Sequence, residues 1–487
     1  MLLPDRRSRL HPLTDYFYDP RLWALAVFLI GLVTLDLPLH DDHSWRQGWG
    51  LMIARNFYEL NFNILYPLSD LCGADSPDYF ATELPLMQAI MAGLYYLFGE
   101  QVWVGRLVNW SVSCLGLWYF SRLVGMLVTP RAGFYAMLAL IGSIALTFSR
   151  KLMPDTFSLF LTIIGVYQLY RYLGGARVSN LLWGGVWVAL GVLCKIPSLV
   201  VVTLLIVPFL RADIALRRKV YVALVTGIGG VLVGLWYFYW MPHLQEISSC
   251  FALIYPVSLT EGAQIIFHER PAQTMMRFEW NAFYSRAPYY CFIAGLALTL
   301  LRGQWRLILG SLVYTGLFVL FILKTGAVFP THSYYVIPYI PLMALYVGVL
   351  LDQEKWLSRR VSLVAALGML CVPLSVTLAD IGLNSRVEEL RLEPVLDSLG
   401  VAPESLILIK GRWGEPTAMY YSGRRGWMQD SENMDRYDWL ETYREQGLEY
   451  ILVDRRKVAD TLVYPLMYQD SVWLIYDYRG GLDTLPD

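Results

Sequence analysis

Long runs of apolar residues, separated by short polar stretches, make up the chain as far as about residue 384. A helix needs about 20 apolar residues to cross a bilayer. Runs close to that length lie at 22–39, 104–126, 132–149, 155–173, 219–241, 305–323, 334–351 and 361–381. The run 181–210 is interrupted by Lys195 and Pro197, which predicts two short helices, and 289–301 predicts one more short span. The pattern predicts a polytopic α-helical membrane protein with about eleven transmembrane helices.

The orientation of the chain depends on the apolar segment 84–98, because about 15 residues are marginal for a crossing. If this segment does not cross, Lys and Arg collect in the loops of one side, as expected of cytoplasmic loops. These residues are Arg131, Arg171, Arg177, Arg211, Arg217, Arg218, Lys219, Arg302, Arg306, Lys355, Arg359 and Arg360. We therefore expect 84–98 to form a juxtamembrane or re-entrant helix, with the N-terminus inside and the C-terminus outside.

Several cations are then left at the outer ends of the spans, where short loops should contain few. They are Arg46, Arg55, Arg150, Lys151, Lys195, Arg286 and Lys324. Convergence on an anionic ligand, most simply a phosphate at the membrane surface, is one explanation. Snorkelling of the side chains toward lipid headgroups is the other.

The composition supports a polytopic membrane protein and excludes an ordinary soluble enzyme. Hydrophobic residues make up 56% of 487 positions, and the mean hydropathy is +0.44. A net charge of −1 does not suggest nucleic-acid binding. The six cysteines are scattered without metal-type spacing, and a disulfide between Cys72 and Cys250 is left open.

The composition changes near Arg386, where charges become frequent and apolar runs shorten. We expect two domains: a transmembrane domain over 1–384, whose first outer loop spans 40–103, and an extracytoplasmic α/β domain over 385–487. Strands are predicted at 406–410, 418–422, 450–454 and 472–478, and helices at 386–399 and 436–446. Strands that alternate with helices indicate a small α/β domain.

The first outer loop begins with a group of ionisable residues, His40 to Arg46, read as HDDHSWR. Asp41 and Asp42 can serve as a general base or hold a divalent metal, although aspartates also cap helices. Apolar residues then recur at three- and four-residue steps as far as Tyr58, which predicts an amphipathic helix at an interface.

Four further motifs fall at outer ends of spans and carry the other candidate residues. They are ELP with Glu83, RKLMPD with Arg150, Lys151 and Asp155, CKIPSL with Lys195, and THSYYVIP with His332 and Tyr335. Lysine, arginine and histidine can bind a phosphate, and the acidic groups can bind an acceptor or a metal. The alternatives are helix-dipole stabilisation for Glu83 and an aromatic belt for the tyrosines.

Taken together and in this order, these motifs resemble those of the GT-C glycosyltransferases. The similarity is greatest to the branch that includes the protein O-mannosyltransferases and the aminoarabinose transferases of lipid A, and it covers roughly residues 20–350. The resemblance implies a polyprenyl-phosphate sugar donor, an inverting transfer with little or no dependence on metal, and a cavity on the outer face. The chain departs from the aminoarabinose enzymes where they have KPPL, because Glu83 replaces the phosphate-binding lysine.

The resemblance also implies roles for the candidate residues. Asp41 or Asp42 is the general base, and the donor phosphate is bound by Arg150, Lys151, Lys195, His332 and Tyr335. Acceptor or metal contacts are expected from His43, Arg46, Glu83 and Asp155. The cofactor is left open between none and a divalent metal.

We expect a plasma (inner) membrane glycosyltransferase whose active site faces outward and whose acceptor is a lipid, glycan or protein. The expected partners are the lipid-linked sugar donor, this acceptor and membrane lipids, without nucleic acid. The alternatives are a glycan polymerase or ligase that uses a lipid-linked oligosaccharide, and a lipid or glycan transporter. A transporter should show repeat symmetry and helices broken at the midplane, and the sequence shows neither.

Overall fold

The first membrane helices follow the predicted apolar runs, with two differences in their ends. The computed structural model describes residues 18–37, 39, 43–73, 78–248, 256–353, 357–383, 389–411, 416–429, 437–458 and 462–480. Helices α1 to α8 are Pro20–Leu32, Ser44–Glu59, Leu86–Phe98, Val102–Leu127, Pro130–Ile141, Ile144–Ser149, Pro154–Leu173 and Val178–Cys194. The predicted span 22–39 ends as a helix at Leu32, because Pro38 follows closely and Arg106 binds the carbonyl oxygens of Leu35 and Leu37. The predicted span 132–149 is two helices, because the Ser143 hydroxyl caps a new helix at Ile144.

The second half of the membrane region contains long helices and several irregular turns. A 3₁₀ helix, Ile196–Leu205, follows Lys195 and continues as α9, Ile206–Phe209, so the predicted break at Lys195 is confirmed. The remaining helices are α10 Leu216–Leu235, α11 Met241–Ile247, α12 Leu259–Gln264, α13 Pro271–Met276, α14 Arg286–Leu301, α15 Trp305–Thr325, α16 Val328–Thr331, α17 Ile340–Leu351 and α18 Arg359–Leu383, with π-helical turns at Trp236–Trp240, Ile265–Glu269 and Arg277–Asn281 and a 3₁₀ helix at Ser333–Tyr339.

Four continuous helical segments among the described residues are long and apolar enough to cross a membrane. They are Leu216–Ile247, Trp305–Thr325, Ser333–Leu351 and Arg359–Val376. The other apolar helices are shorter or less apolar, so the total of eleven crossings stays a prediction.

The C-terminal region forms the predicted small α/β domain around a five-stranded sheet. A 3₁₀ turn, Glu389–Arg391, precedes helix α19, Leu392–Ser398, and the later helices are α20 Thr417–Ser422 and α21 Tyr437–Glu445. Strands β1 to β5 are Leu406–Lys410, Arg425–Gln429, Leu448–Asp454, Leu466–Gln469 and Trp473–Asp477. Their order is β2-β1-β3-β5-β4, with β1 parallel to β2 and β3, and β5 antiparallel to β3 and β4.

One predicted strand of this domain is wrong. The segment 418–422 belongs to helix α20, which buries Ala418, Met419 and Tyr420 against helices α2 and α19. Tyrosine favours strands, but this short segment is folded by its packing, and Gly423 ends the helix with a φ of 62°. Strands β2 and β4 had no counterpart in the sequence prediction.

Helix α2 is confirmed as a helix, but its surroundings differ from the prediction. Trp49, Met52 and Phe57 are buried as expected of an apolar face, and Arg46 and Asn56 on its other sides are buried too. Helix α3 packs on one side of α2, and α20 of the C-terminal domain packs on another. Arg46 pairs with Glu83 and Asn56 with Asp70 of the first outer loop, whereas Arg55 donates to the carbonyl oxygen of Tyr420 in α20. Helix α2 therefore joins the membrane region to the C-terminal domain.

The first outer loop is also tied to the sheet by backbone hydrogen bonds. The amide of Gly73 donates to the carbonyl oxygen of Gly426, and the amide of Gly426 donates to that of Asp70, both at 3.0 Å. The loop thus covers the edge strand β2. Cys72 in this loop is disulfide-bonded, and Cys250, the partner that the sequence left open, lies outside the described residues.

Candidate functional site

A cavity of about 350 Å³ lies between the first turn of helix α2, the segment before α3 and the ends of several membrane helices. The cavity is lined by Lys324, one of the cations at the outer ends of the spans, and by five of the candidate site residues. They are Arg46, Glu83, Lys195, His332 and Tyr335. Residues far apart in sequence therefore meet at one place, which makes this cavity the candidate site.

Glu83 is the centre of the charges in this cavity. Its Oε1 forms a salt bridge with Nη2 of Arg46, and its Oε2 lies 3.6 Å from Nζ of Lys195. Burial alone would raise the pKa of Glu83, but Arg46 and Lys195 outweigh it and hold the pKa below its ordinary value. Glu83 is therefore ionised at neutral pH and holds two cations at the cavity wall.

Backbone contacts fix Glu83 beside Lys195. The amide of Leu84 donates to the carbonyl oxygen of Leu193 at 3.0 Å, and the Tyr237 hydroxyl donates to the same oxygen at 3.1 Å. The Trp236 indole donates to the carbonyl oxygen of Thr82 at 3.0 Å. Sequence analysis did not single out Trp236 or Tyr237, although the aromatic run 236–240 could have drawn attention to them.

Asp155 lies close behind the Glu83 cluster at the start of helix α7. It is buried and interacts electrostatically with Lys195, Glu83 and Arg46. Its Oδ2 has no hydrogen-bond partner among the described residues. Buried polar atoms normally have a partner, so Oδ2 of Asp155 is an open acceptor beside the cluster, outside the cavity lining.

His43 connects the cavity to the beginning of helix α2. Its backbone is left-handed, with a φ of 65°, and its ring lies 5.7 Å from His332 and 4.8 Å from Tyr334. A non-glycine residue in this conformation is strained, and such strain persists where packing enforces it. The rings of Tyr334 and His332 provide that packing directly beside the cavity.

Aromatic and apolar residues also line the cavity. The rings of Phe321 and Tyr335 stack at 5.8 Å with an interplanar angle of 4°. Ile196 and Pro197 add apolar surface next to Lys195. The cavity thus combines a charged side with an apolar side, as an amphipathic ligand would require.

Arg150 and Lys151 lie near this site but outside the cavity lining. Both are buried, and Arg150 donates to the carbonyl oxygen of Thr34 at 3.4 Å. The Lys151 ammonium lies 4.7 Å from the Phe148 ring centroid, and that ring also contacts His43. Their turn is held against helix α2, where the amide of Leu152 donates to Oε1 of Gln47 at 3.0 Å.

Two buried polar residues of helix α4, Arg106 and Asn109, were missed from the sequence. Arg106 donates to the carbonyl oxygen of Leu35 at 3.0 Å and to that of Leu37, just before the acidic pair in sequence. Asn109 donates to the carbonyl oxygen of Lys151 at 2.7 Å and shapes the turn that leads to Asp155. A charge and an amide inside an apolar run were the signal that could have identified them.

The described residues do not offer a metal-binding cluster. No three His, Cys, Asp or Glu side chains among them converge. Both oxygens of Glu83 face cations, so this carboxylate is not free to bind a metal. Asp41 and Asp42, the predicted base and its neighbour, lie outside the described residues.

Membrane helices joined to a small C-terminal sheet domain form the GT-C fold of membrane glycosyltransferases. This fold was predicted from the sequence resemblance and is confirmed, and the chain is an integral membrane protein. A family model described as dolichyl-phosphate-mannose-protein mannosyltransferase matches residues 77–240. No curated protein sequence matches the chain significantly.

Three solved structures illustrate the similarity. ArnT from Cupriavidus metallidurans in the apo state is 14% identical, with a TM-score of 0.65 over 95% of this chain and 98% of its own. The same protein bound to undecaprenyl phosphate is also 14% identical, with a TM-score of 0.62 over 98% of this chain and 100% of its own. The Archaeoglobus fulgidus oligosaccharyltransferase in complex with Zn and sulfate is 12% identical, with a TM-score of 0.57 over 88% of this chain and 68% of its own. At these identities the likeness establishes the fold.

Proposed function

We propose that this protein is a glycosyltransferase that moves a sugar from a polyprenyl-phosphate donor to an acceptor at the outer face of the plasma (inner) membrane. The observation that carries the proposal is the amphipathic cavity, which is lined by three cations, Arg46, Lys195 and Lys324, and by one carboxylate, Glu83. These four side chains sum to two positive charges, which suits a phosphate group. The crystal structure of ArnT, which has a similar fold, contains bound undecaprenyl phosphate, and this supports the same class of donor here.

In this proposal Lys195 and Arg46 bind the donor phosphate and stabilise the charge that develops on it as the sugar leaves. Phe321 and Tyr335 contact the first units of the prenyl chain. His332 adds a hydrogen bond to phosphate, and the adjacent Arg150 and Lys151 contribute a longer-range positive field.

The acceptor is activated by Asp41, with Asp42 placing the acceptor. A carboxylate near cations stays ionised and can accept the proton of a hydroxyl or amine. A single displacement from the face opposite the phosphate inverts the anomeric configuration. Asp155 offers a hydrogen-bond acceptor for a further acceptor or sugar group.

The proposal is tested by comparing surface lipids and glycans with and without the gene by mass spectrometry, and then by assaying the purified protein. Wild-type protein should release polyprenyl phosphate from the donor so identified, in the presence of acceptor. Transfer of one sugar agrees with the proposal, and transfer of an oligosaccharide would instead indicate a ligase or polymerase. Absence of any transfer with the identified donor and acceptor would contradict the proposal.

The base is tested by Asp41→Asn, which keeps size and most hydrogen bonds. Because general-base catalysis contributes about 10²–10⁴-fold, turnover should fall by that order while donor lipid still binds. Asp42→Asn should have a smaller effect. The reverse ranking would reassign the base within the pair, and normal turnover in the double variant would exclude both.

A further inference from the structure

A second and larger cavity, of about 600 Å³, lies at the other end of the membrane helices. Helix α15 contacts both cavities, with Trp305 and Arg306 at the second cavity and Phe321 and Lys324 at the candidate site. Its 21 residues span about 30 Å, the thickness of the hydrocarbon core. The second cavity therefore lies at the membrane surface opposite the candidate site.

Three arginines line this second cavity, and two of them form no salt bridge within the described part of the chain. Arg211 forms a two-point ion pair with Asp213, and Asp352 is bound by Arg131 and Thr129. Arg302 and Arg306 are left without a carboxylate partner among the described residues. Each of the two arginines donates one hydrogen bond to another described residue. Nη2 of Arg302 donates to Gln353, and Nε of Arg306 donates to the carbonyl oxygen of Leu210.

These two guanidinium groups therefore keep several N–H groups for a ligand. A guanidinium presents its donors in a planar fork that matches phosphate oxygens. Both residues are exposed to the cavity opening, and Trp305 beside them is 54% exposed at the depth where aromatic residues meet headgroups. A cavity of this size between helix ends, with two exposed arginines that have no salt-bridge partner among the described residues, suits a phosphate group held at the membrane surface.

We propose that this cavity binds the phosphate headgroup of an anionic phospholipid, with Arg302 and Arg306 as its ligands. The lipid is a second ligand, distinct from the sugar donor. The position at the end of the apolar helices favours a lipid, whose acyl chains can lie along the helices, over free phosphate.

The test uses the full-length protein in neutral detergent and follows thermal unfolding during titration with phosphatidylglycerol, phosphatidylcholine or inorganic phosphate. Phosphatidylglycerol should bind wild-type protein at least about tenfold more tightly than phosphatidylcholine. The double variant Arg302→Gln, Arg306→Gln should lose about tenfold in apparent affinity for phosphatidylglycerol. The matched control replaces Arg217 and Arg360, two exposed arginines at the same end, with Gln and should change affinity by less than about twofold.

An equal loss in the control would assign the effect to diffuse surface charge and overturn the proposal. Inorganic phosphate that binds as tightly as phosphatidylglycerol would identify a soluble phosphate ligand and overturn the lipid assignment. Arg306→Gln alone, which loses the bond to Leu210 and the contact with the Trp305 ring, carries the same test if the double variant does not fold. Arg302→Lys keeps the charge but not the fork, so it should bind between the wild-type and glutamine proteins.

Discussion

Glu83 shows how far individual residues could be read from the sequence. The motif indicated that a phosphate-binding lysine was replaced by an acid and that Lys195, Arg150 or Lys151 could take over its role. The structure places Lys195 against Glu83 and adds Arg46 on the other oxygen. That geometry was not predictable, because it depends on hydrogen bonds from the region 236–237, which no local pattern connects to residue 83.

The Glu83 cluster leads to a prediction about donor binding. Glu83→Gln removes the charge that Lys195 and Arg46 now face, so both cations become available to phosphate. Binding of polyprenyl phosphate should tighten by about tenfold, whereas Lys195→Met should weaken it by about tenfold. Equilibrium binding to the detergent-solubilised variants measures both, with monodisperse elution as the folding control. Weaker binding in both variants would mean that Glu83 organises the site rather than neutralising it.

Asp78 predicts a pH-dependent stability of the first outer loop. Burial raises its pKa to about 6, although hydrogen bonds from the Ser69 hydroxyl and the Leu71 amide favour the ionised form. The pKa of an aspartate in the unfolded chain is about 3.9. Between about pH 4 and pH 6 the folded state therefore binds more protons than the unfolded state. The contribution of Asp78 to stability is therefore present below this window and falls as the pH rises through it.

The test compares wild-type protein with Asp78→Asn, which cannot titrate. From about pH 4 to pH 7 the free energy of unfolding of the wild type should fall relative to the variant, by up to about 3 kcal/mol. Urea denaturation of the solubilised proteins measures this difference. Parallel curves for the two proteins would show that Asp78 titrates alike in the folded and unfolded states.

Among the secondary-structure elements, long apolar runs were predicted well and short interface elements were not. Apolar length is a local property, and Val102–Leu127 and Pro154–Leu173 follow their predicted spans closely. Thr417–Ser422 was predicted as a strand and is a helix because it packs against helix α2, several hundred residues earlier in the chain. Strand β4 was missed because it is a short and largely exposed edge strand, without the alternating pattern that identifies strands.

The contact between α2 and α20 depends on Gly48. A Cβ atom there would lie 3.0 Å from the backbone N and Cα of Thr417. Gly48→Leu should therefore push α20 away and destabilise the docked C-terminal domain by about 1–3 kcal/mol. Limited proteolysis should cut the linker before the sheet faster in this variant.

Gly93 provides the matched control for this prediction. It lies in helix α3, and a Cβ atom there meets nothing within 4 Å. Gly93→Leu makes the same chemical change in an open position and should leave proteolysis unchanged. Equal cleavage of the two variants would mean that the contact at Gly48 does not hold the domain.

At the scale of the whole molecule, the two ends of the helix bundle differ in what surrounds them. The first outer loop and the sheet domain share one hydrophobic core, which includes Trp49, Phe57, Met91 and Ile409. The opposite end carries Arg211, Arg302 and Arg306 and is not covered by the sheet. The sequence predicted the separation of charge, but not that the loop and the C-terminal domain form one unit, because their contacts join distant parts of the chain.

This arrangement predicts which end of the molecule faces the cytoplasm. Cytoplasmic loops hold the excess of Lys and Arg, so the arginine-rich end should be inside and the sheet domain outside. Leu301 at the arginine-rich end is 86% exposed, and Val463 in the sheet domain is 54% exposed. In a background without the exposed Cys371, a membrane-impermeant maleimide applied to intact cells should label Val463→Cys, and should label Leu301→Cys only after permeabilisation. Labelling of both cysteine variants in permeabilised cells is the control for accessibility. The reverse pattern in intact cells would invert the topology and place the candidate site on the cytoplasmic side.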